Sequence, residues 1–117
     1  MEDCIFCKII NKEINSNICY EDDEIIAFED IAPVAPIHTL VIPKQHISDL
    51  TELNDENIEI VSKIYKVINM IAKEKGIEEN GYRVIVNCKE DGGQEVKHLH
   101  FHLIGGKKLG TKIAVQE

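Results

Sequence analysis

What the chain lacks narrows the field first. It has no run of Lys and Arg, and 21 acidic residues outnumber 13 basic ones, for a net charge of -8. A nucleic-acid backbone is gripped through a basic footprint, so none is expected as a partner. A mononucleotide stays open, because its phosphates need only local donors. No apolar stretch approaches the roughly 20 residues of a membrane span, and no membrane contact is expected. The opening Met1-Glu2-Asp3 is acidic where a secretory leader is basic, which makes the expected compartment cytoplasmic. There is no internal repeat, low-complexity tract or obvious linker. Neither GxGxxG nor GxxxxGK(S/T) occurs, which removes the Rossmann and P-loop ways of holding phosphate. With 44% hydrophobic and 29% charged residues among 117, the chain is expected to form one domain, residues 1–117, whose core needs no staple.

Four cysteines are present: Cys4, Cys7, Cys19 and Cys88. Disulfides are rare in a reducing compartment, so Cys4-x-x-Cys7 reads as half of a metal site or as a redox pair. Cys19 and Cys88 read as small residues in or beside strands.

Residues 5–10 pattern as a short helix with one apolar side. Ile18–Glu21 and Ile25–Glu29 are β-prone, and the acidic Asp22-Asp23-Glu24 between them suits a hairpin turn. Ala32-Pro33-Val34-Ala35-Pro36 is a stiff loop, since each proline fixes its own φ and biases its predecessor away from helix. Thr39–Ile42 reads as a buried strand closed by Pro43. Ile58, Val61, Tyr65, Ile68 and Ala72 follow helical spacing, with Asn54 as N-cap and Gly76 as stop. A second strand pair follows, Tyr82–Asn87 and Leu99–Ile104. The expected fold class is α+β: a largely antiparallel sheet of about five strands, one long helix and one short N-terminal helix.

The densest chemistry is His98-Leu99-His100-Phe101-His102-Leu103-Ile104. Successive side chains of a strand point to opposite faces, so three of the five histidines share one face and Leu99, Phe101 and Leu103 the other. Clustered titratable residues mark sites. Two chemistries compete. Three imidazoles can hold one metal with water as the fourth ligand, or one imidazole can attack phosphorus while its neighbours hold the phosphoryl oxygens. Gly92-Gly93-Gln94 and Asn87 favour the second, because they offer neutral donors to an anion.

Asp30-Ile31-Ala32-Pro33, Ala35-Pro36-Ile37-His38, Leu40-Val41-Ile42-Pro43-Lys44-Gln45-His46-Ile47, Asp91-Gly92-Gly93-Gln94 and His98-x-His100-x-His102-Leu-Ile-Gly-Gly together resemble the histidine triad (HIT) superfamily. The likeness runs over residues 4 to 106, leaves the tail 107–117 outside, and is strongest to the Hint branch of nucleoside phosphoramidate hydrolases. It implies an enzyme acting on purine nucleoside 5′-phosphoramidates through a covalent nucleotidyl-histidine. His100 is then the nucleophile, and His102 and His38 contact the phosphate and assist the leaving group. Asn87, Gly93 and Gln94 match phosphate and leaving-group contacts. Asp30 matches the acceptor of the ribose hydroxyls, and Ile5, Phe6, Ile9, Phe28 and Ile31 match the pocket for the base. A homodimer with its two sheets joined is implied as well. Other functions compatible with the likeness are dinucleoside polyphosphate hydrolysis and nucleotide binding without turnover; a three-histidine metalloenzyme stands outside it.

In superfamily members with the cysteine pair, His46 and His98 match zinc ligands beside Cys4 and Cys7. Four protein ligands leave no open position, so that zinc is structural and catalysis needs no cofactor. The likeness breaks at one informative position: Glu95 stands where much of the branch has serine. A carboxylate there would disfavour an anionic leaving group and favour a cationic amine.

Overall fold

In the computed structural model, which describes residues 3–113, five strands make one antiparallel sheet ordered β1-β2-β3-β5-β4. They are β1 (Ile18–Glu21), β2 (Ile25–Glu29), β3 (Ile37–Pro43), β4 (Tyr82–Ile85) and β5 (Phe101–Gly105). Two helices complete the fold, α1 (Ile5–Ile10) and α2 (Glu59–Glu74). The described residues contain no helix long and apolar enough to cross a membrane.

The sheet is buried on both faces, as the unbroken apolar runs in β2 and β3 require. On one face Ile25, Ala27, Val41, Leu99, Phe101 and Leu103 pack against Ile64, Val67, Ile68 and Ile71 of α2. On the other, Ile26, Phe28, Leu40 and Ile42 pack against Phe6 and Ile9 of α1. His98 and His100 therefore lie beneath α1, against Phe6.

Both hairpin strands and α1 fall where the residue pattern places them. At the hairpin, Asp22 Oδ1 accepts the Glu24 and Ile25 N–H groups at 2.7 and 2.8 Å, so the acidic cluster builds the turn. Asn54 caps ahead of α2. Its Oδ1 accepts from Glu56 N–H at 2.8 Å while Asn57 Oδ1 accepts from Asn54 N–H at 2.7 Å, a reciprocal cap one turn before regular helix begins. Gly76 follows the helix at φ +76°, the left-handed conformation that ends it cheaply.

The second strand pair is shorter than its residues suggest. β4 stops at Ile85 and β5 starts only at Phe101. The β3–β5 ladder ends at Val41 opposite Phe101. Beyond it lies Pro43, which has no N–H to lend and whose carbonyl accepts instead from His98 Nε2 at 2.8 Å. Leu99 N–H turns to the Ile47 carbonyl at 2.7 Å. Side-chain and loop bonds thus replace the ladder where the chemistry begins.

Ile68 is fully buried between α2 and the sheet. Ile68→Ala should lower unfolding stability by about 2–5 kcal/mol, read in urea titration as a lower midpoint at unchanged slope; a loss within a few tenths would show that α2 is not packed this way.

Candidate active site

Four histidines are oriented by main-chain groups, directly or through one neighbour, and those bonds decide which ring nitrogen keeps a lone pair. His98 donates Nε2–H to the Pro43 carbonyl, which leaves its Nδ1 bare. His100 donates Nδ1–H to the His98 carbonyl at 2.7 Å, which leaves its Nε2 bare. Val34 N–H donates to His38 Nδ1 at 3.2 Å, so the hydrogen of neutral His38 is on Nε2. That hydrogen points to His102 Nδ1 at 2.9 Å, and Asp30 Oδ2 lies 3.4 Å from the same nitrogen. His102 in turn carries its own hydrogen on Nε2. The proline loop is what brings Val34 back over His38, four residues on.

Burial favours the neutral form of His98, His100 and His102. It lowers His100 below the ordinary histidine value, and with the neighbouring His100 and His38 rings it lowers His102 to about 4. Burial also lowers His98 to about 4. At neutral pH the bare nitrogen of His100 is therefore a free base. Phe6 of α1 stands edge-on to the His100 and His98 rings, with centroids 5.2 and 5.9 Å away.

His100 and His102 open into a cavity of about 420 Å³ walled by Ile5, Phe6, Ile9 and Phe28, with Asp30 and Ile31 at its rim. Ile31 is 98% exposed, an apolar side chain held in water beside an apolar cavity. Asp30 Oδ1 accepts from Ala32 N–H at 2.8 Å, which aims the carboxylate. Nine of the residues singled out from the sequence, Glu95 among them, thus line one cavity, and His38 backs it through His102.

Asn87, Gly93 and Gln94 do not line that cavity. Asn87 Nδ2–H donates to the Gly92 carbonyl at 2.7 Å. Gln94 Nε2 donates to the Ser48 and Val96 carbonyls at 2.7 and 3.0 Å, and its Oε1 accepts from Lys89 N–H at 2.8 Å. These side chains brace the loop between β4 and the histidine run. Gly92 allows the loop to close, since a Cβ there would lie 2.4 Å from the Cys88 carbonyl oxygen. The loop carries Glu95, which is exposed and lines the cavity beside Val96. The residue pattern missed Leu40, Ile14, Asn15 and Ser16 in the wall. Leu40 was readable by period two from His38; the loop 14–16 carries no signal that links it to a site 80 residues away.

The remaining histidine chemistry is a separate centre. Cys4, Cys7, His46 and His98 place their ligand atoms within 4.8 Å of one another. Cys4 Sγ lies 3.4 Å from His98 Nδ1, and Cys7 Sγ lies 3.3 Å from His46 Nδ1 and 3.7 Å from His98 Nδ1. A tetrahedral ion with usual metal–sulfur and metal–nitrogen bonds would separate sulfur from nitrogen by about 3.6 Å. His98 offers the bare nitrogen, and its other nitrogen is tied to a carbonyl, as a metal-ligating imidazole requires. Burial lowers His46, and burial together with Cys4 raises Cys7. The four residues fit a metal ion. His98, His100 and His102 do not converge on one point: among the described residues His98 groups with the cysteines, and His102 with Asp30 and His38. Where His38 and His102 face each other, their two nitrogens share a single hydrogen, which suits a hydrogen bond more than an ion.

Comparison with known proteins follows the same lines. Residues 3–115 match the family described as "Scavenger mRNA decapping enzyme C-term binding". The chain is 45% identical over 113 residues to the purine nucleoside phosphoramidase of Escherichia coli, covering 97% of this chain and 95% of that protein. A histidine triad protein from Clostridium difficile superposes with TM-score 0.93 at 57% identity, covering 97% of this chain and 98% of that one. A HIT family hydrolase from Clostridium thermocellum gives TM-score 0.95 at 50% identity with the same coverage.

The depressed His102 has a consequence for stability. The unfolded chain takes up this proton near pH 6.5, the native state only near 4. The stability attached to the neutral ring is therefore complete above about pH 6.5 and is lost as pH falls toward 4. Denaturant unfolding at several pH values should show a shallower acid decline in His102→Asn than in wild type; equal slopes would contradict the burial of a neutral ring.

Proposed function

Because the chain belongs to the histidine triad family, we propose that it hydrolyses purine nucleoside 5′-phosphoramidates, with His100 as the nucleophile. It is an enzyme of the hydrolase type, as its relatives are. The observation that carries the finer reading is the bare Nε2 of His100, fixed by the His98 carbonyl and opening into a cavity with one apolar wall and the Asp30 carboxylate at its rim.

The apolar wall of Ile5, Phe6, Ile9 and Phe28, with Ile31 at the rim, holds the base. Asp30, aimed by Ala32 N–H, accepts the ribose hydroxyls. This seats the α-phosphorus near His100. The Nε2 lone pair attacks phosphorus, the phosphorus–nitrogen bond to the amine breaks, and the amine leaves with the bonding pair and takes a proton from solvent water at the open rim. Water then attacks the nucleotidyl-histidine, the histidine–phosphorus bond breaks, and the nucleoside monophosphate departs. Dividing the displacement in two lowers each barrier. His102 Nε2–H, held outward by His38, donates to the phosphoryl oxygens as charge develops there. Asn87, Gly93 and Gln94 serve by fixing the loop beside the phosphate; Asn87 keeps one amide hydrogen free for an oxygen.

At Cys4, Cys7, His46 and His98 the ion is zinc, on the mixed sulfur and nitrogen donor set. Zinc bound there supplies a closed crosslink between α1, the loop after β3 and the histidine run, with no open position for substrate. The working compartment is the reducing cytoplasm. The working unit is a homodimer, for which the unpaired outer edge of β4 offers a place to join two sheets.

Intact-protein mass spectrometry during turnover of adenosine 5′-phosphoramidate tests the nucleophile. Wild type should carry one AMP, and His100→Ala should carry none and lose turnover by at least about a thousandfold. AMP release by His100→Ala at wild-type rate would discard the mechanism. Glu95 tests the leaving-group side. A carboxylate near the scissile bond is worth about 1 kcal/mol against an anionic leaving group, so Glu95→Ser should raise phosphate-leaving over amine-leaving turnover roughly fivefold. An unchanged ratio would remove Glu95 from specificity.

A further inference from the structure

Helix α1 does two jobs with alternating residues. Cys4 at its N-cap and Cys7 in its first turns contribute two sulfurs to the metal centre, while Ile5, Phe6 and Ile9 wall the cavity. Six residues are too few to hold a helix by backbone bonds alone. What pins α1 to the sheet is the packing of Phe6 and Ile9 and the approach of its sulfurs to His46 and His98.

His98 makes the same connection from the other side. Its Nδ1 faces the sulfurs, its Nε2 is anchored on Pro43, and its carbonyl receives the hydrogen that bares His100 Nε2. Phe6 touches both rings edge-on. A second cavity of about 580 Å³, reaching Cys4 and His46, shares Ile5, Glu95 and Val96 with the first. The metal centre and the nucleotide cavity are thus two sides of one wall.

We infer that occupancy of the Cys4/Cys7/His46/His98 centre sets nucleotide affinity at the His100 cavity, and that bound nucleotide tightens the metal in return; this rests on the zinc and nucleotide readings above. Without the ion, the helix loses its crosslink and the base loses the wall formed by Ile5, Phe6 and Ile9. His98 is then a positioning residue as well as a ligand. Coupling between two ligands is reciprocal, so each shifts the other's affinity by the same factor.

His46 isolates the effect, because it supplies a ligand atom from the loop after β3 and lines no part of the nucleotide cavity. Titration calorimetry with AMP should give a dissociation constant at least about tenfold weaker for His46→Asn, and for zinc-stripped wild type, than for zinc-loaded wild type. Circular dichroism verifies that the compared samples are folded. In competition with a chelator, wild type should hold zinc tighter by the same factor when AMP saturates it. Loaded with cobalt(II), it should show visible bands that move when AMP is added, which a general staple remote from the cavity would not produce. One dissociation constant for loaded and stripped protein, or an unmoved cobalt spectrum, overturns this inference alone. A purified chain that binds no zinc removes the zinc reading and the inference with it. AMP that fails to bind even the zinc-loaded protein removes the nucleotide reading as well.

Discussion

The hydrogen bond from His100 Nδ1–H to the carbonyl two residues back is the constraint on which the site depends. Burial alone makes an imidazole neutral, but it does not choose which nitrogen keeps the lone pair. The main chain chooses here. A carbonyl fixes His98, another fixes His100, and an amide fixes His38 and through it His102. Three neighbouring residues of one type thereby carry their hydrogens on different ring nitrogens, Nε2 in His98 and His102 and Nδ1 in His100, without any difference in their side chains.

That division requires a dry environment, and the double burial of the sheet supplies it. α2 covers the Leu99, Phe101, Leu103 face and α1 covers the imidazole face. In water each ring would exchange tautomers and gain protons near pH 6.5. Under Phe6 and Ile9 the rings answer only to the groups the chain places beside them. The shorter of the two α-helices is thus a roof over His100 through Phe6, and it carries the Cys4 and Cys7 sulfurs at its start.

Much of this was legible in the residues. Alternation through 98–104 put Leu99, Phe101 and Leu103 on one face and the imidazoles on the other, and the side chains are found so. Hairpin, long helix and stop at Gly76 followed from local rules, because turn and cap preferences act within a few residues. The strand ends did not follow. Where β5 begins depends on Pro43, some 55 residues earlier, through a side-chain bond that no local pattern announces. The site divides in the same way. Asp30, Ile31, His38, His100 and His102 were identifiable from motif and likeness, and they line or back the cavity. Asn87 and Gln94 were equally identifiable, yet their amides are engaged in bracing a loop, since a motif specifies a residue type and leaves its hydrogen-bond partners open. The spacing of Cys4 and Cys7 left a metal site and a redox pair both open, and only the folded chain brings His46 and His98 beside their sulfurs.

The packing around 98–104 also governs how this stretch can change over evolutionary time. Leu99, Phe101 and Leu103 fill the space against α2 while the imidazoles occupy the other side. Inserting or deleting one residue between His98 and His102 would exchange the two sets, driving rings into the α2 core and aliphatic chains onto the cavity. Point substitutions alter one contact at a time, whereas a change of length by one residue inverts all of them together. The length of the run is therefore a tighter constraint on this fold than the identity of any one side chain in it.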